Sequence, residues 1–337
     1  MMEASAKMTI LVTGSSGFVG LNIVEHLLAR GDDVIGVSDR PVPQIAALAF
    51  AELPGRLVQI VADVRSQHAM QRIMSEYGVK RVVHAAAVTS NTARERTEAC
   101  HTVGVNMGGL TAVAGAAAAL GVERFVFVSS NAVFGGGVPD YALLDEDWPK
   151  APGTIYALSK WTGEMILDLL GASTGLDWVA GRLAGVFGPW EYRTGIRDFM
   201  NPVFQANTLA IAGRHAFLPR RGKSNWHFAR DAASALVTLL DTPSHRHKVY
   251  NLGTPYVWSI ADWCDRLAAR FPAFQIHVGT GDGAPIDLYG DHDGGILSGD
   301  RFTQEFGPTG RFDLDAAFEH LMEWQERHDQ FGLRSAA

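Results

Sequence analysis

Thr13-Gly-Ser-Ser-Gly-Phe-Val-Gly20 follows an apolar run, Met8-Thr-Ile-Leu-Val-Thr13, and opens a stretch with helical spacing, Val19 to Arg30. Three spaced glycines alone are a weak signal; a strand before them and a helix after them supply the confirming context. Gly14 permits a tight turn, Gly17 lets backbone approach a pyrophosphate, and Gly20 allows the helix to pack closely on the strand. The helix N-terminus offers unpaired N–H groups and the positive end of its dipole to phosphates. Ser16, Phe18 and Val19 belong to the same candidate cradle. The competing reading is a plain structural turn.

Outward from this turn, Asp33-Val-Ile-Gly-Val-Ser38, Leu57-Val-Gln-Ile-Val-Ala62, Arg81-Val-Val-His-Ala85 and Arg124-Phe-Val-Phe-Val-Ser129 read as further strands, most of them nearly continuously apolar. Strands buried on both faces have that character. Helical spacing recurs at Ser66 to Tyr77, Ile155 to Leu170, Asp231 to Leu240, Ile260 to Arg270 and Leu314 to Arg327, with another strand at Trp178–Leu183. Strand–helix alternation predicts right-handed crossovers and an α/β fold with a Rossmann-type doubly wound parallel sheet. We expect residues 8–189 with about 227–252 to form the dinucleotide-binding domain. Residues of about 190–226 and 253–330 are expected to form a smaller C-terminal substrate lobe over the sheet's carboxyl edge.

The 337 residues are 47% hydrophobic and 19% charged, which excludes disorder as the main state. A net charge of −7 argues against a general nucleic-acid or anionic-membrane binder. Cys100 and Cys264 show no metal-ligand spacing, and a reduced, cytoplasmic setting is the simplest expectation. The apolar run from Met8 is broken at Gly14, too early for the core of an export signal. The uncharged stretch Val103 to Val122 holds five glycines and six alanines, and reads as a small-faced helix packed on the sheet, not a membrane span. Gly279–Asp300, with seven glycines and five aspartates, reads as a flexible surface loop. It lacks the alternating ligands of a calcium loop, and we expect no metal site.

Asp39 ends the second strand, nineteen residues after Gly20. A carboxylate there can accept both ribose hydroxyls and repels a 2′-phosphate, which favours NAD over NADP. Arg40 beside it can instead neutralise or bind that phosphate, and a surface Asp39–Arg40 turn is the bland alternative. Asp63 is placed to contact the adenine amino group, or to cap the helix that starts near Ser66. Tyr156 and Lys160 lie four apart on one helical face, where an ammonium can stabilise a phenolate. Such a phenol can exchange a proton with a substrate oxygen while hydride moves to or from nicotinamide. Ser130 follows the fifth strand, where open α/β sheets place ligands; its alternative is a strand-end turn. His84 lies in a buried strand and reads as a residue hydrogen-bonded within the fold.

Taken together, Thr13–Gly20, Asp39, Asp63-Val64, His84-Ala-Ala-Ala87, Asn106, Ser129-Ser-Asn-Ala-Val-Phe-Gly135, Tyr156-Ala-Leu-Ser-Lys160, Arg182-Leu-Ala-Gly-Val-Phe-Gly-Pro189 and Tyr250-Asn-Leu-Gly253 closely resemble the extended branch of the short-chain dehydrogenase/reductase family, also called NAD-dependent epimerase/dehydratase-like. The matches come in family order across about residues 8 to 325. The resemblance implies Ser130, Tyr156 and Lys160 as the catalytic trio with Tyr156 as acid/base. It also implies that Val64 and Ala85, Ala86 and Ala87 line the cofactor and that Asn106 supports its site. Leu183 and Val186, in the segment after Arg182, are implied to lie against nicotinamide, and subunits to pair through helices into a homodimer.

Departures from the family's pattern bear on the substrate. Sugar-nucleotide enzymes of the family carry Arg-Leu-x-Asn-Val-Tyr-Gly-Pro, whose asparagine touches the substrate pyrophosphate; here Gly185 stands there. An arginine that clamps the same group is replaced by Ser224, with Arg220 or Arg221 as possible substitutes. Ser130-Asn131-Ala132 replaces the Thr-Asp-Glu of dehydratases, so the acidic pair for eliminating water is absent. We therefore expect oxidation or reduction of a small sugar, sugar acid or hydroxy acid. The alternative is a sugar or nucleotide-sugar epimerase with tightly held, recycled NAD; a non-catalytic NAD sensor is disfavoured because the Ser–Tyr–Lys set is kept. Thr89, Ser90, Asn91 and Asn131 are candidates to hold substrate hydroxyls, and Trp190 and Phe134 to form an apolar wall. Arg193 and Arg221, among the arginines 193, 197, 214, 220 and 221, suit an anionic substrate, unless they pair with acids such as Glu191 and Asp198.

Overall fold

A computed structural model describes residues 9–90, 92–193, 200–279 and 283–329. Seven parallel strands form the central sheet: β1 (Thr9–Thr13), β2 (Asp33–Ser38), β3 (Arg56–Val61), β4 (Arg81–His84), β5 (Arg124–Ser130), β6 (Trp178–Leu183) and β7 (Val249–Leu252). Their order is β7-β6-β5-β4-β1-β2-β3. The order reverses between β1 and β4, where open α/β sheets leave a crevice.

Alternate residues of each strand feed two helical layers. Ile10 and Val12 join α1 (Phe18–Ala29), α2 (Gln44–Ala51) and α8 (Ala229–Asp241) on one face. Leu11 joins α3 (Gln67–Glu76), α5 (Gly109–Ala119) and α6 (Ile155–Thr174) on the other. Burial on both faces explains the unbroken apolar strands. β3 is the exception: it is an edge strand, and Val61 is 61% exposed.

The stretch expected as one helix from Val103 is interrupted. It begins in α4 (Thr92–Val103), passes through a π-helical turn at Gly104–Gly108, and continues as α5. The run Arg94–Ala119 is long and apolar enough to cross a membrane by length and composition, but it packs within the fold against α3 and α6.

Beyond β6 the chain leaves the sheet for α7 (Pro202–Ile211), returns through α8 and β7, and leaves again for α9 (Ile260–Arg270), α10 (Asp300–Phe306) and α11 (Leu314–Asp329). A three-stranded parallel sheet, 276–278, 216–218 and 284–285, joins these two excursions. Phe187, Phe228, Trp258 and Trp263 continue the core from sheet to lobe without a break. Residues 287–295 line one cleft together with Ala85, Ser130 and Leu183 at the carboxyl ends of β4, β5 and β6.

Candidate active site

One cleft of about 1480 Å³ runs from the glycine turn across the sheet edge into the lobe. A single small-ligand site occupies roughly 300–1,000 Å³, so this cleft has room for a dinucleotide and a second molecule. At one end Gly14 takes φ +69°, and a Cβ there would sit 2.7 Å from the Ala86 nitrogen. A Cβ on Gly20 would meet the Gly14 carbonyl oxygen at 2.0 Å. Only bare backbone fits at both positions. α1 begins on Gly17 with no side chain capping it, which leaves its first turn facing the cleft.

Ser16, Phe18, Val19, Asp39, Arg40, Asp63, Val64 and Ala85–Ala87 all line this end. Asp39 and Arg40 pair at 3.0 Å on the lip, with the Asp39 side chain 58% exposed. Asp63 pairs with Arg65 at 2.6 Å, and that guanidinium holds its carboxyl below the usual range. The helix cap offered as an alternative for Asp63 is supplied instead by Ser66, whose Oγ accepts from the Ala69 N–H. Asn106 stands behind the cleft in the π-turn. Its side chain accepts from Val88 N–H at 2.7 Å, and donates to the Val88 carbonyl and Ser159 Oγ at 3.0 Å each. The wall formed by residues 85–90 is thereby fixed to α6. Tyr192, which the sequence reading passed over, also lines the cleft and donates its hydroxyl to the Ser16 carbonyl at 2.5 Å.

Ser130 ends β5, and Tyr156 and Lys160 project from the first turns of α6 into the same cleft. Thr154 caps that helix, accepting from the Ala157 N–H at 3.0 Å. Lys160 Nζ donates to the Val128 carbonyl at 2.7 Å and lies 5.7 Å from the Tyr156 ring centre. Burial pulls its pKa down to about 8, with Glu164 pulling the other way. Ser130 Oγ accepts from the Ala132 N–H, so the strand-end turn is present beside any role toward substrate.

Two carboxylates in this region were not singled out from sequence. Glu164 accepts from Arg182 at 2.6 Å and from Ser129 Oγ at 2.6 Å, all three buried beneath the reacting end. Its position four residues after Lys160 was the available signal. Glu95, from α4, accepts from the Tyr156 N–H and from Ser90 Oγ, each at 3.0 Å. No local spacing reveals that contact, which joins residues 61 apart in sequence.

Thr89, Ser90, Asn131, Phe134, Leu183 and Val186 line the same cleft as Ser130, Tyr156 and Lys160, though the Ser90 hydroxyl is committed to Glu95. Several expectations are corrected. Trp190 is turned away by a positive φ of 66° and buried against Phe50, Trp324 and His328, with its indole N–H on Glu25. Arg193 is exposed and does not line the cleft. Arg221 pairs with Asp262 at 2.6 Å outside it. Arg220 does line it, but donates to Asp293 and to the carbonyls of Leu288, Gly290 and His292. The expected surface loop is thus clipped down, and residues 287–295 form part of the cleft wall. Asn91, Arg197 and Asp198 lie outside the described residues.

His84 donates or accepts through Nδ1 with Thr13 Oγ1 at 2.8 Å, while Nε2 has no hydrogen-bond partner among the described residues. Burial lowers its pKa to about 3, so it stays neutral. Among the described residues no group of three or more His, Cys, Asp or Glu is placed to hold a metal ion.

Comparison with known proteins adds independent findings. The model of the NAD dependent epimerase/dehydratase family matches residues 10–253. The UDP-glucose 4-epimerase of Mycolicibacterium smegmatis is 31% identical over 247 residues, covering 73% of this chain and 77% of that protein. The dTDP-D-glucose 4,6-dehydratase of Mus musculus is 27% identical over 262 residues, covering 77% and 71% respectively. The crystal structure of UDP-glucose 4-epimerase from Thermus thermophilus in complex with NAD superposes with a TM-score of 0.75 at 25% identity, covering 94% of this chain and 99% of that one.

Proposed function

The chain belongs to the NAD-dependent epimerase/dehydratase family, and from that premise we propose that it moves a hydride between NAD and a secondary alcohol or carbonyl of a small sugar, sugar acid or hydroxy acid. The observation that carries this reading is the shared cleft. A glycine turn shaped for backbone-to-phosphate contact opens one end of it, and Ser130, Tyr156 and Lys160 converge at the other.

The residues present fit the dinucleotide. The α1 N-terminus and the Gly14–Gly20 turn would hold its pyrophosphate, Asp39 its ribose hydroxyls, and Leu183 and Val186 the wall beside its ring. NAD bound there supplies the hydride acceptor or donor. Ser130 Oγ holds the substrate oxygen, and Tyr156 takes the proton of a substrate hydroxyl as the phenolate or gives a proton to a carbonyl oxygen as the phenol. The Lys160 ammonium, fixed on the Val128 carbonyl, stabilises the phenolate form. The turn after Ser130 carries Asn131 and Ala132, an amide and a methyl, so the elimination step of a dehydratase has no acid pair there.

The epimerase relatives favour a second reading, in which the same residues oxidise and then reduce the substrate with the cofactor retained. Incubating the purified protein and NAD with sugars, sugar acids and nucleotide sugars separates the two. Net NADH absorbance supports the dehydrogenase; product without net NADH supports the epimerase. Tyr156→Phe should lower either activity by about 10²–10⁴-fold with NAD affinity nearly unchanged. Undiminished turnover in that variant removes Tyr156 from the mechanism. The same reading places the protein in the cytoplasm as a homodimer pairing through helices, consistent with Leu158, Met165 and Leu169 left exposed on α6.

A further inference from the structure

We propose that the Trp226 indole, seated in the space left by Gly185, forms a carbon wall that selects substrates presenting a C–H or hydrocarbon face there, and excludes nucleoside diphosphates. The inference rests on the oxidoreductase reading above and narrows its substrate class.

Gly185 lies two residues beyond Leu183, which pairs in register with Ser130, so it sits at the sheet edge beside the reacting end. A Cβ on Gly185 would come within 2.8 Å of Trp226 Cζ3 and 2.9 Å of Cε3. A side chain at 185 and an indole at 226 therefore compete for one volume, and here the indole has it. The ring is held from behind. Trp258 lies 6.3 Å away and is itself stacked on Trp263 at 5.7 Å, with Phe187 edge-on to both.

The polar end of the indole is also spent. Trp226 Nε1–H donates to the Gly222 carbonyl at 3.2 Å, so the ring meets the cleft through carbon. Leu288 extends the wall past Gly222, where a Cβ would meet its side chain at 3.0 Å. Arg220, a residue of the cleft lining, has its guanidinium consumed by the loop it clips. Lys223 leaves one ammonium nearby, over the Tyr141 ring at 5.3 Å. One ammonium can meet a carboxylate, but among the described residues a diphosphate set against carbon would lose hydration without enough replacement donors. The C–H face of an unphosphorylated sugar, or the hydrocarbon part of a hydroxy acid, loses nothing by the same contact.

Calorimetric titration of the NAD-loaded protein with UDP, the diphosphate probe, tests this. No saturable binding is expected up to millimolar UDP in the natural protein. Gly185→Asn combined with Trp226→Ala should bind UDP at least tenfold more tightly, with NAD affinity within about twofold of the parent. Trp226→Phe, which keeps an aromatic wall, should bind no UDP. Submillimolar UDP binding by the natural protein overturns the inference by itself, whether or not the variants fold, and leaves the oxidoreductase reading intact. Failure of the natural protein to bind NAD instead overturns that reading.

Discussion

Lys160 is buried to 4% exposure, and removing its ammonium from water brings its pKa to about 8 against the pull of Glu164. The protonated form is the one that stabilises a phenolate. Activity is therefore expected to fall as pH rises through about 8, as Lys160 loses its proton. In Glu164→Gln the falling limb should move to lower pH, because a charge that favours the ammonium is gone. A kcat/KM profile that does not move in a folded variant separates Glu164 from the mechanism. At the other end of the cleft, Asp39→Ala should weaken NAD by roughly ten- to a hundredfold, the scale of hydrogen bonds to a charged group, and weaken NADP much less. Equal weakening of both would undo the assignment of Asp39 to the ribose.

At the scale of elements, α4 and α6 are joined by Glu95, which accepts the Tyr156 N–H and the Ser90 hydroxyl. Glu95→Gln should lower kcat by roughly tenfold and leave NAD affinity within about twofold, since a charge-assisted contact is worth about 1.5–3 kcal/mol. Matching losses in kcat and NAD affinity would point to general unfolding of the wall instead. Elements with a strong local cause were legible in the sequence. β2 is apolar from Val34 to Val37, β6 is apolar but for Arg182, and α9 carries a capping box between Ser259 and Asp262; all three span the residues read from sequence. α2, half alanine, and α7 are not legible because their faces differ little in polarity. The glycine turn and the Tyr156–Lys160 spacing were legible for the same local reason. Trp190, Arg221 and the 287–295 wall were not, because their directions depend on a positive φ or on ion pairs between distant segments.

Over the whole molecule, packing sets the response to acid. Burial lowers the pKa of His84 to about 3 and of His227 and His245 to about 4, each below the ordinary histidine value of about 6.5. A depressed folded pKa means that the unfolded chain binds the extra proton first. The stability these neutral rings contribute is complete above about pH 6.5 and is lost as pH falls toward 4 and 3. The thermal midpoint should fall steadily between pH 7 and 4.5, and a flat profile would mean that these sites open to water. The glycine turn, the Tyr156 side of α6 and residues 287–295 line a single cavity. A crystal structure of the complex with NAD tests that arrangement most directly. The account predicts pyrophosphate on the α1 N-terminus, ribose hydroxyls on Asp39, and the nicotinamide ring within reach of the Tyr156 hydroxyl. A dinucleotide bound elsewhere, or a Tyr156 hydroxyl turned out of its cleft, would contradict it.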